Sequence, residues 1–268
     1  MSSTLHHAKK QLSFTALRQA MSDIFLQITD HRDNRKITYR LHDILMSGFA
    51  CMYFQDPSLL AFQERMQEDE HRNNLQTLFD VTAIPKDTQM RELLDTVDSH
   101  RFAPVFKMLY QRLQRGKHLE GYQSIEGSYY FPIDASEFFS SKDVHCKHCL
   151  VKNHRTGGTT YSHQVLQGGI MHPDQSVILP FMPEQIRNED GSAKQDCEIN
   201  AAKRLLIRLR REFPKLKLTI GGDGLYSKQP MIEAVQAKKM HYIFGAKPKD
   251  HTYLMEWLAA YDRFVRSK

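Results

Sequence analysis

The spacing of apolar residues divides the chain into two parts. Over residues 1–120 apolar side chains recur every three or four positions, the period of an amphipathic helix. The segment 37–52 shows the pattern well, with apolar residues at Ile37, Leu41, Ile44, Leu45 and Phe49. We therefore predict a helix there and a small all-helical region over 1–120.

Helix start signals support this interpretation at two further places. Ser58 precedes the run LLAFQERMQ and is a typical N-cap, and Asp87 is a second candidate N-cap, before an apolar stripe that includes Met90 and Leu94. Several short helices in succession are the expected result.

From about residue 125 the pattern becomes that of strands. Four runs rich in β-branched and aromatic residues, bounded by Gly, Pro and Asp, are SYYFPID, TTYSHQVLQGGIMH, QSVILPFMP and LKLTIGG. Between the last two runs lies an amphipathic helix that ends before Pro214, and a helix over 229–239 and the strand HYIFGAK follow. This order predicts an α/β domain with a mixed sheet and flanking helices over 125–268.

Composition narrows the class of protein. The 268 residues, 41% of them hydrophobic, are enough for one or two folded domains. The sequence lacks an apolar run long enough for a signal peptide or a membrane span, so we expect a cytoplasmic protein. Its net charge of +6 is compatible with a polyanionic partner such as nucleic acid.

Two aspartates close predicted strands. Asp134 ends FPID and Asp223 ends TIGGD, next to Gly221, Gly222 and Gly224. If the two strands are neighbours, both carboxylates meet at one edge of the sheet and can hold Mg²⁺, while the glycines would admit a phosphodiester backbone. The alternative is that each aspartate belongs to an ordinary turn at a strand end, of which Asp223 followed by Gly224 is a common form.

The chain resembles bacterial insertion-sequence transposases of the DDE class. The resemblance rests on FPIDASEFFSSKDVHCKHC and the residues after it, on NEDGSAKQDCEINAAKRL, and on LTIGGDGLYSKQPMI and YIFGAKPKDHTYL; it runs from about Phe131 to Leu254, and IPKDTQMRELLD upstream is also similar. It implies an RNase H-like catalytic domain over 125–268 and a DNA-binding helical region over 1–120.

The resemblance also implies the activity and the partners. Family members cut and join DNA by phosphoryl transfer at transposon ends, using two aspartates and a glutamate as ligands of Mg²⁺ or Mn²⁺. By position, Asp134 and Asp223 are the two catalytic aspartates. The expected partner is double-stranded DNA with terminal inverted repeats, bound by a homodimer in the cytoplasm at the bacterial nucleoid.

The third acid is not evident in the sequence. In similar transposases the glutamate lies on a helix well beyond the second aspartate, whereas this sequence has 45 residues after Asp223. Glu256 is one candidate. We expect instead a glutamate beyond residue 268, in a longer transposase of which this would be the N-terminal part, so activity of this chain alone is uncertain.

A second metal site is suggested by HCKHCLVKNH, residues 145–154. Cys146 and Cys149 have the spacing of half a structural zinc site, and His154 is the preferred third ligand. Three other histidines could complete the shell: His145, His148 and His163. Two reduced thiols in a polar loop are the alternative.

Basic residues suggest where DNA phosphates could bind. One candidate surface is the polar face of the helix before Pro214, with Lys203, Arg204, Arg208 and Arg211; the other is the N-terminal cluster Arg35, Lys36 and Arg40. The helix face could equally be an ordinary solvated surface.

Three functions remain open at this point. The first is a transposase or its truncated form. The second is an RNase H-like nuclease that cuts without joining. The third is a DNA-binding remnant without catalysis that inhibits the full enzyme by occupying transposon ends.

Overall fold

The computed structural model describes residues 11–188 and 198–266. Within this part the chain divides into two compact units, Met1–His118 and Leu119–Lys268. None of the described helices is both long and apolar enough to cross a bilayer.

The first unit is helical. Its α-helices are α1 (Phe14–Leu26), α2 (Leu41–Phe54), α3 (Leu59–Met66), α4 (Asp69–Phe79), α5 (Asp87–Leu94) and α6 (Ala103–Arg115). Short 3₁₀ segments lie at Asn34–Lys36 and Ser99–Phe102. The all-helical prediction for this region agrees with these elements.

Local signals set the helix starts. The Ser58 hydroxyl accepts the backbone N–H of Ala61 at 3.1 Å, which confirms Ser58 as the N-cap of α3. Asp87 is not an N-cap as predicted but the first residue of α5, where its negative charge lies at the positive end of the helix dipole. Helix α2 begins at Leu41, four residues later than predicted, because Arg40 is still extended.

The helices of the first unit enclose one apolar core. The residues buried in it are Met21, Phe25, Leu41, Leu45, Met46, Ala50, Cys51, Phe62, Met66, Leu75, Phe79, Val81 and Met90. They come from α1 to α5 and from the segment after α4, so each helix contributes its apolar stripe to the same cluster.

The second unit is a mixed sheet with helices. Its strands are β1 (Tyr129–Ser141), β2 (Leu150–Asn153), β3 (Thr159–Ile170), β4 (Leu179–Pro180), β5 (Glu184–Ile186), β6 (Leu218–Gly222) and β7 (His241–Phe244). Its α-helices are α7 (Glu198–Glu212), α8 (Gln229–Ala237) and α9 (Thr252–Arg266), and 3₁₀ segments precede β1 at His118–Tyr122 and Ile125–Gly127.

The strand order is β2-β3-β1-β6-β7, with β4 and β5 also paired to β3. Strand β3 runs antiparallel to β1, whereas β6 runs parallel to β1 and β7 parallel to β6. The mixed α/β class is therefore as predicted. Strands β2 and β5 were not predicted, and QSVILPFMP pairs only at Leu179–Pro180, because Pro180 and Pro183 interrupt the hydrogen bonding there.

The core of the second unit lies between the sheet and its helices. Phe131 and Ile220, on adjacent strands, are fully buried, as are Leu205 of α7 and Met231 of α8. Gly168 of β3 is required here, since a Cβ at that position would collide with the Phe131 ring. This packing fixes β1 against β6, the two strands that carry the aspartates.

Candidate functional site

The two aspartates lie at the same level of adjacent parallel strands. Pro132 of β1 is in register with Gly221 of β6, and Asp134 and Asp223 each follow two residues later. Neighbouring strands are about 4.8 Å apart. Asp223 directly follows the end of β6, whereas Asp134 lies within β1, so the prediction that Asp134 ends a strand was wrong, although both aspartates lie next to the place where the β1–β6 pairing stops. The condition that the sequence left open, that the two strands be neighbours, is met.

Both aspartates accept local hydrogen bonds. Asp134 Oδ1 accepts the N–H of Ala135 at 2.9 Å, and Asp223 Oδ1 accepts the N–H of Leu225 at 2.8 Å. Lys247 Nζ lies 3.3 Å from Asp223 Oδ2 in an exposed ion pair, which contributes little to stability. A carboxylate accepts about four hydrogen bonds, so these contacts leave capacity for a cation.

A third carboxylate, Glu198, belongs to the same neighbourhood. Burial raises the pKa of the Glu198 carboxyl, and the negative charges of Asp134 and Asp223 raise this pKa further. The Tyr226 hydroxyl donates a hydrogen bond to Glu198 Oε2 at 3.1 Å, which acts in the opposite direction. The charges of both aspartates therefore act on Glu198. Sequence analysis did not identify this residue.

Tyr226 orients Glu198 through this hydrogen bond. The side chain is completely buried, and burial together with the Glu198 charge raises the pKa of its hydroxyl. The phenol is consequently neutral and remains a hydrogen-bond donor to Glu198. Tyr226 follows Asp223 by three residues, so one short segment supplies both a carboxylate and the residue that orients another.

The glycines beside Asp223 pack closely against side chains of the protein itself. A Cβ at Gly221 would collide with the hydroxyl of Tyr130, and a Cβ at Gly222 would lie 2.6 Å from the Tyr226 ring. A Cβ at Gly224 would meet the Lys247 side chain at 2.7 Å. These glycines make room for the protein's own side chains, and the expectation that they also admit a DNA backbone stays a prediction.

A shallow cleft of about 310 Å³ lies beside Asp134. Its lining comes from β1, β3 and the segment around β4, including Gln167, Gly169, Ile178 and Pro180. The carboxylate of Asp134 is thus at the rim of a largely apolar depression rather than on a flat surface.

The predicted basic face of α7 is partly wrong. Arg208 is buried: its Nη1 lies 2.9 Å from Glu184 Oε2, and its Nη2 donates to the carbonyls of Met182 and Pro183. Arg204 is half-buried, with Nε 3.0 Å from Glu184 Oε1 and Nη2 2.7 Å from the Gln185 carbonyl. Both arginines fix α7 to β5, so neither is part of a DNA-binding surface.

The remaining basic candidates are more accessible. Arg211 is exposed on α7 and Lys203 is half-buried. In the first unit, Arg35 and Lys36 are exposed, and Arg35 pairs with Asp33. Arg40 is exposed as well, but it is held by Asp43 at 2.8 Å and by Thr82 at 2.9 Å, which points to a structural role.

Glu256 has no place in this arrangement. It lies on α9 and is exposed. Among the described residues, the carboxylates whose charges act on Glu198 are those of Asp134 and Asp223.

The cysteine pair is next to a histidine, though not the one preferred from the sequence. The ligand atoms of Cys146, Cys149 and His163 all lie within 4.8 Å of one another, a tighter group than the three carboxylates. His154 is outside the group; its Nε2 is 2.7 Å from Thr160 Oγ1. His163 is on β3, and its distance along the chain hid it from a search for local spacing.

Comparison with known proteins addresses the relationship of the chain. Residues 22–109, within the helical unit, match the family described as DDE_Tnp_1-associated. No curated protein matches the chain. A solved structure of the piggyBac transposase synaptic complex with hairpin DNA aligns with 87% of this chain at 12% identity and a TM-score of 0.34.

The chain spans 47% of that transposase, and the low structural similarity carries no weight here. The family match lies upstream of most of the residues on which the resemblance was based, and it is independent of both aspartates. Residues 22–109 of this chain are therefore similar to the DDE_Tnp_1-associated family.

Proposed function

We propose that the second unit is an RNase H-like catalytic domain and that the chain acts as a DNA transposase, by metal-dependent phosphoryl transfer at transposon ends. The observation that carries the proposal is the position of Asp134 and Asp223 at one level of adjacent parallel strands, with Glu198 near both. The DDE_Tnp_1-associated domain in the same chain supports it.

The sheet supports the RNase H-like assignment. An antiparallel set with the long strands β1 and β3 is followed in the chain by α7, then β6, α8 and β7. Strands β6 and β7 extend the sheet in parallel from β1. Asp223 lies at the carboxyl end of β6, where functional groups collect in such sheets, and Asp134 lies beside it on β1.

The donor set fits a hard divalent cation. Asp134, Asp223 and Glu198 offer carboxylate oxygens, which Mg²⁺ and Mn²⁺ prefer, and Mg²⁺ normally keeps several water ligands beside one or two carboxylates. The three carboxylates are not drawn together as closely as the Cys/His group, so water would complete the coordination. A bound cation supplies Lewis acidity toward the attacking and leaving oxygens of a phosphodiester.

Each protein residue then has a definite task. Asp134 and Asp223 hold the cation, and Glu198 adds a third negative charge whose position is fixed by the Tyr226 hydroxyl. Lys247 already neutralises part of the Asp223 charge and could turn to a DNA phosphate instead. With Glu198 in this role, the chain need not obtain its third acid from beyond residue 268.

The proposed partner is double-stranded DNA with terminal inverted repeats, bound by a homodimer. Arg35 and Lys36 of the first unit and Arg211 of the second are exposed cations suited to phosphate contacts. Arg204 and Arg208 are excluded from this list because Glu184 and backbone carbonyls hold them.

Metal binding tests the carboxylate site directly. We expect Mn²⁺ to bind the wild-type chain, measured by electron paramagnetic resonance, and Asp134→Asn or Asp223→Asn to weaken binding by at least about tenfold, the loss seen even for outer-shell partners. Glu198→Gln should also weaken it, although glutamine still accepts the Tyr226 hydrogen bond. Glu137→Gln, an exposed carboxylate on the same strand, is the matched control.

Strand cleavage tests the activity. The substrate is duplex DNA carrying the inverted repeats that flank the gene, with Mg²⁺ or Mn²⁺. Cleavage with joining to a target supports the transposase, and cleavage without joining supports a nuclease. Binding without cleavage would overturn the catalytic part and leave a DNA-binding inhibitor. Equal Mn²⁺ affinity in the Asp134→Asn and Glu137→Gln variants would refute the metal site.

A further inference from the structure

We propose that Cys146, Cys149 and His163 bind a zinc ion that fixes the loop between β1 and β2 to strand β3. This site is separate from the carboxylates. Asp134 pairs with Gln167, whereas His163 pairs with Phe139, five residues farther along β1. The two sites also differ in chemistry, since thiolates and imidazole select zinc, while carboxylates select Mg²⁺ or Mn²⁺.

The distances are those of a tetrahedral zinc shell. Cys146 Sγ and Cys149 Sγ are 3.8 Å apart, and His163 Nε2 lies 3.3 Å and 3.4 Å from the two sulfurs. With Zn–S near 2.3 Å and Zn–N near 2.05 Å, a regular tetrahedron places the sulfurs about 3.8 Å apart and S and N about 3.6 Å apart. The three side chains thus already occupy three corners.

A disulfide does not explain the geometry. Bonded sulfurs are about 2.05 Å apart, far less than the distance here. Convergence of all three side chains on one point is what a metal ion requires.

The surroundings hold the ligands in place. The N–H of Cys146 donates to Cys149 Sγ at 3.3 Å, and the N–H of His148 donates to Cys146 Sγ at 3.4 Å. The His163 ring lies between two aromatic rings of β1, stacked with Phe138 at 5.9 Å and tilted against Phe139 at 5.7 Å. The fourth position is open to water or to a histidine of the same loop.

The loop between β1 and β2 also contacts β3 through the His145 ring, which is stacked on Tyr161 with the ring centroids 4.4 Å apart. Residues 142–148 are all exposed, including the apolar Val144, so the loop buries little apolar surface. A zinc cross-link from this loop to β3 would stabilise the loop in place of buried apolar packing, as structural zinc does in small domains. The expected function of the ion is therefore to order the loop between β1 and β2 against strand β3.

Metal analysis tests the proposal on the intact chain. Protein purified under reducing conditions should contain about one equivalent of zinc, and less than about half an equivalent would overturn the site. Cobalt(II) exchanged into the protein should give sulfur-to-cobalt charge-transfer bands and the intense visible bands of tetrahedral cobalt. Octahedral cobalt spectra would contradict the proposal, and neither measurement needs a variant.

Variants then assign the ligands. Cys146→Ser, Cys149→Ser and His163→Asn should each lose most of the zinc, whereas His154→Asn, on the neighbouring strand end, should retain it. Retention of full zinc by His163→Asn would refute the three-residue assignment. Asp134→Asn should keep its zinc while losing Mn²⁺ affinity, so failure of one metal site is distinguishable from failure of the other.

Discussion

Asp43 is a buried carboxylate in the first unit that several polar side chains contact. Arg40 donates to it at 2.8 Å, and the Thr82 hydroxyl donates at 2.8 Å. Burial alone would raise the pKa of Asp43, but the neighbouring His42 ring and hydrogen bonds from Arg40 and Thr82 hold that pKa well below its usual range. Asp43 therefore joins the start of α2 to the segment after α4.

We expect Asp43→Asn to destabilise the first unit by about 2 kcal/mol, because it removes a buried negative charge while its cationic partner Arg40 remains. Urea unfolding followed by circular dichroism measures this. Asp33→Asn, in an exposed pair with Arg35, should leave the free energy of unfolding almost unchanged. Equal effects of the two substitutions would contradict a special role for Asp43.

The same carboxylate predicts a pH dependence. Since the folded pKa of Asp43 is lowered, its contribution is complete above the unfolded pKa of about 3.9 and is lost as the pH falls through that value toward the folded pKa. The stability gap between wild type and Asp43→Asn should therefore be constant near neutrality and narrow below about pH 4. A difference in free energy of unfolding that grows as the pH falls would contradict this prediction.

Sequence patterns found some site residues and missed others for physical reasons. Asp134 and Asp223 were evident because each follows a short apolar run, although β1 continues beyond Asp134. Glu198 was not, since a glutamate in the first turn of an amphipathic helix is ordinary, and only tertiary structure brings it near the aspartates. Arg208 was misjudged although it follows Leu205 by three residues and so lies on the buried face of α7.

At the scale of elements, α7 is fixed to β5 by charge as well as by apolar packing. Glu184 of β5 contacts Arg204 at 3.0 Å and Arg208 at 2.9 Å. Glu184 and Arg208 are each about 8% exposed. Strand β5 is only three residues long, too short to be stable by pairing alone, so the ion pairs compensate for its length.

We expect Glu184→Gln to destabilise the second unit by about 3 kcal/mol, because the Arg208 guanidinium would stay buried without a countercharge. Thermal unfolding measures the loss. Glu233→Gln, an exposed glutamate on α8, should cost less than about 0.5 kcal/mol. If α7 is instead a DNA-binding surface, Glu184→Gln would alter DNA affinity while leaving stability unchanged, the opposite of our expectation.

Short elements were also the least predictable from sequence. Strand β2 and strand β5 have four and three residues, and neither shows a sustained alternation of apolar and polar positions. The longer elements with clear periods, such as α7 and β3, were identified correctly. Both short strands pair with β3, which follows β2 after a short loop and precedes β5, and periodicity does not contain that pairing information.

At the scale of the whole molecule, the chain consists of two units with separate cores. The apolar cluster of the first unit, with the residues packed against it, extends from Met21 to Val105 and lies within Met1–His118. The sheet core of the second unit is built from residues after Leu119, such as Phe131 and Leu205. A unit with its own core can fold by itself.

We therefore expect two unfolding transitions that respond to different substitutions. In calorimetry, Asp43→Asn should lower the transition of the first unit alone, and Glu184→Gln that of the second alone. Each should shift its transition by several degrees, since about 1 kcal/mol corresponds to roughly 4–8 °C for a domain near 100 residues. The fragment 1–118 should unfold cooperatively. Its midpoint should equal that of the transition assigned to the first unit in the intact chain. A single transition shifted equally by both substitutions would mean that the two cores fold as one, and the family domain would then not be an independent unit.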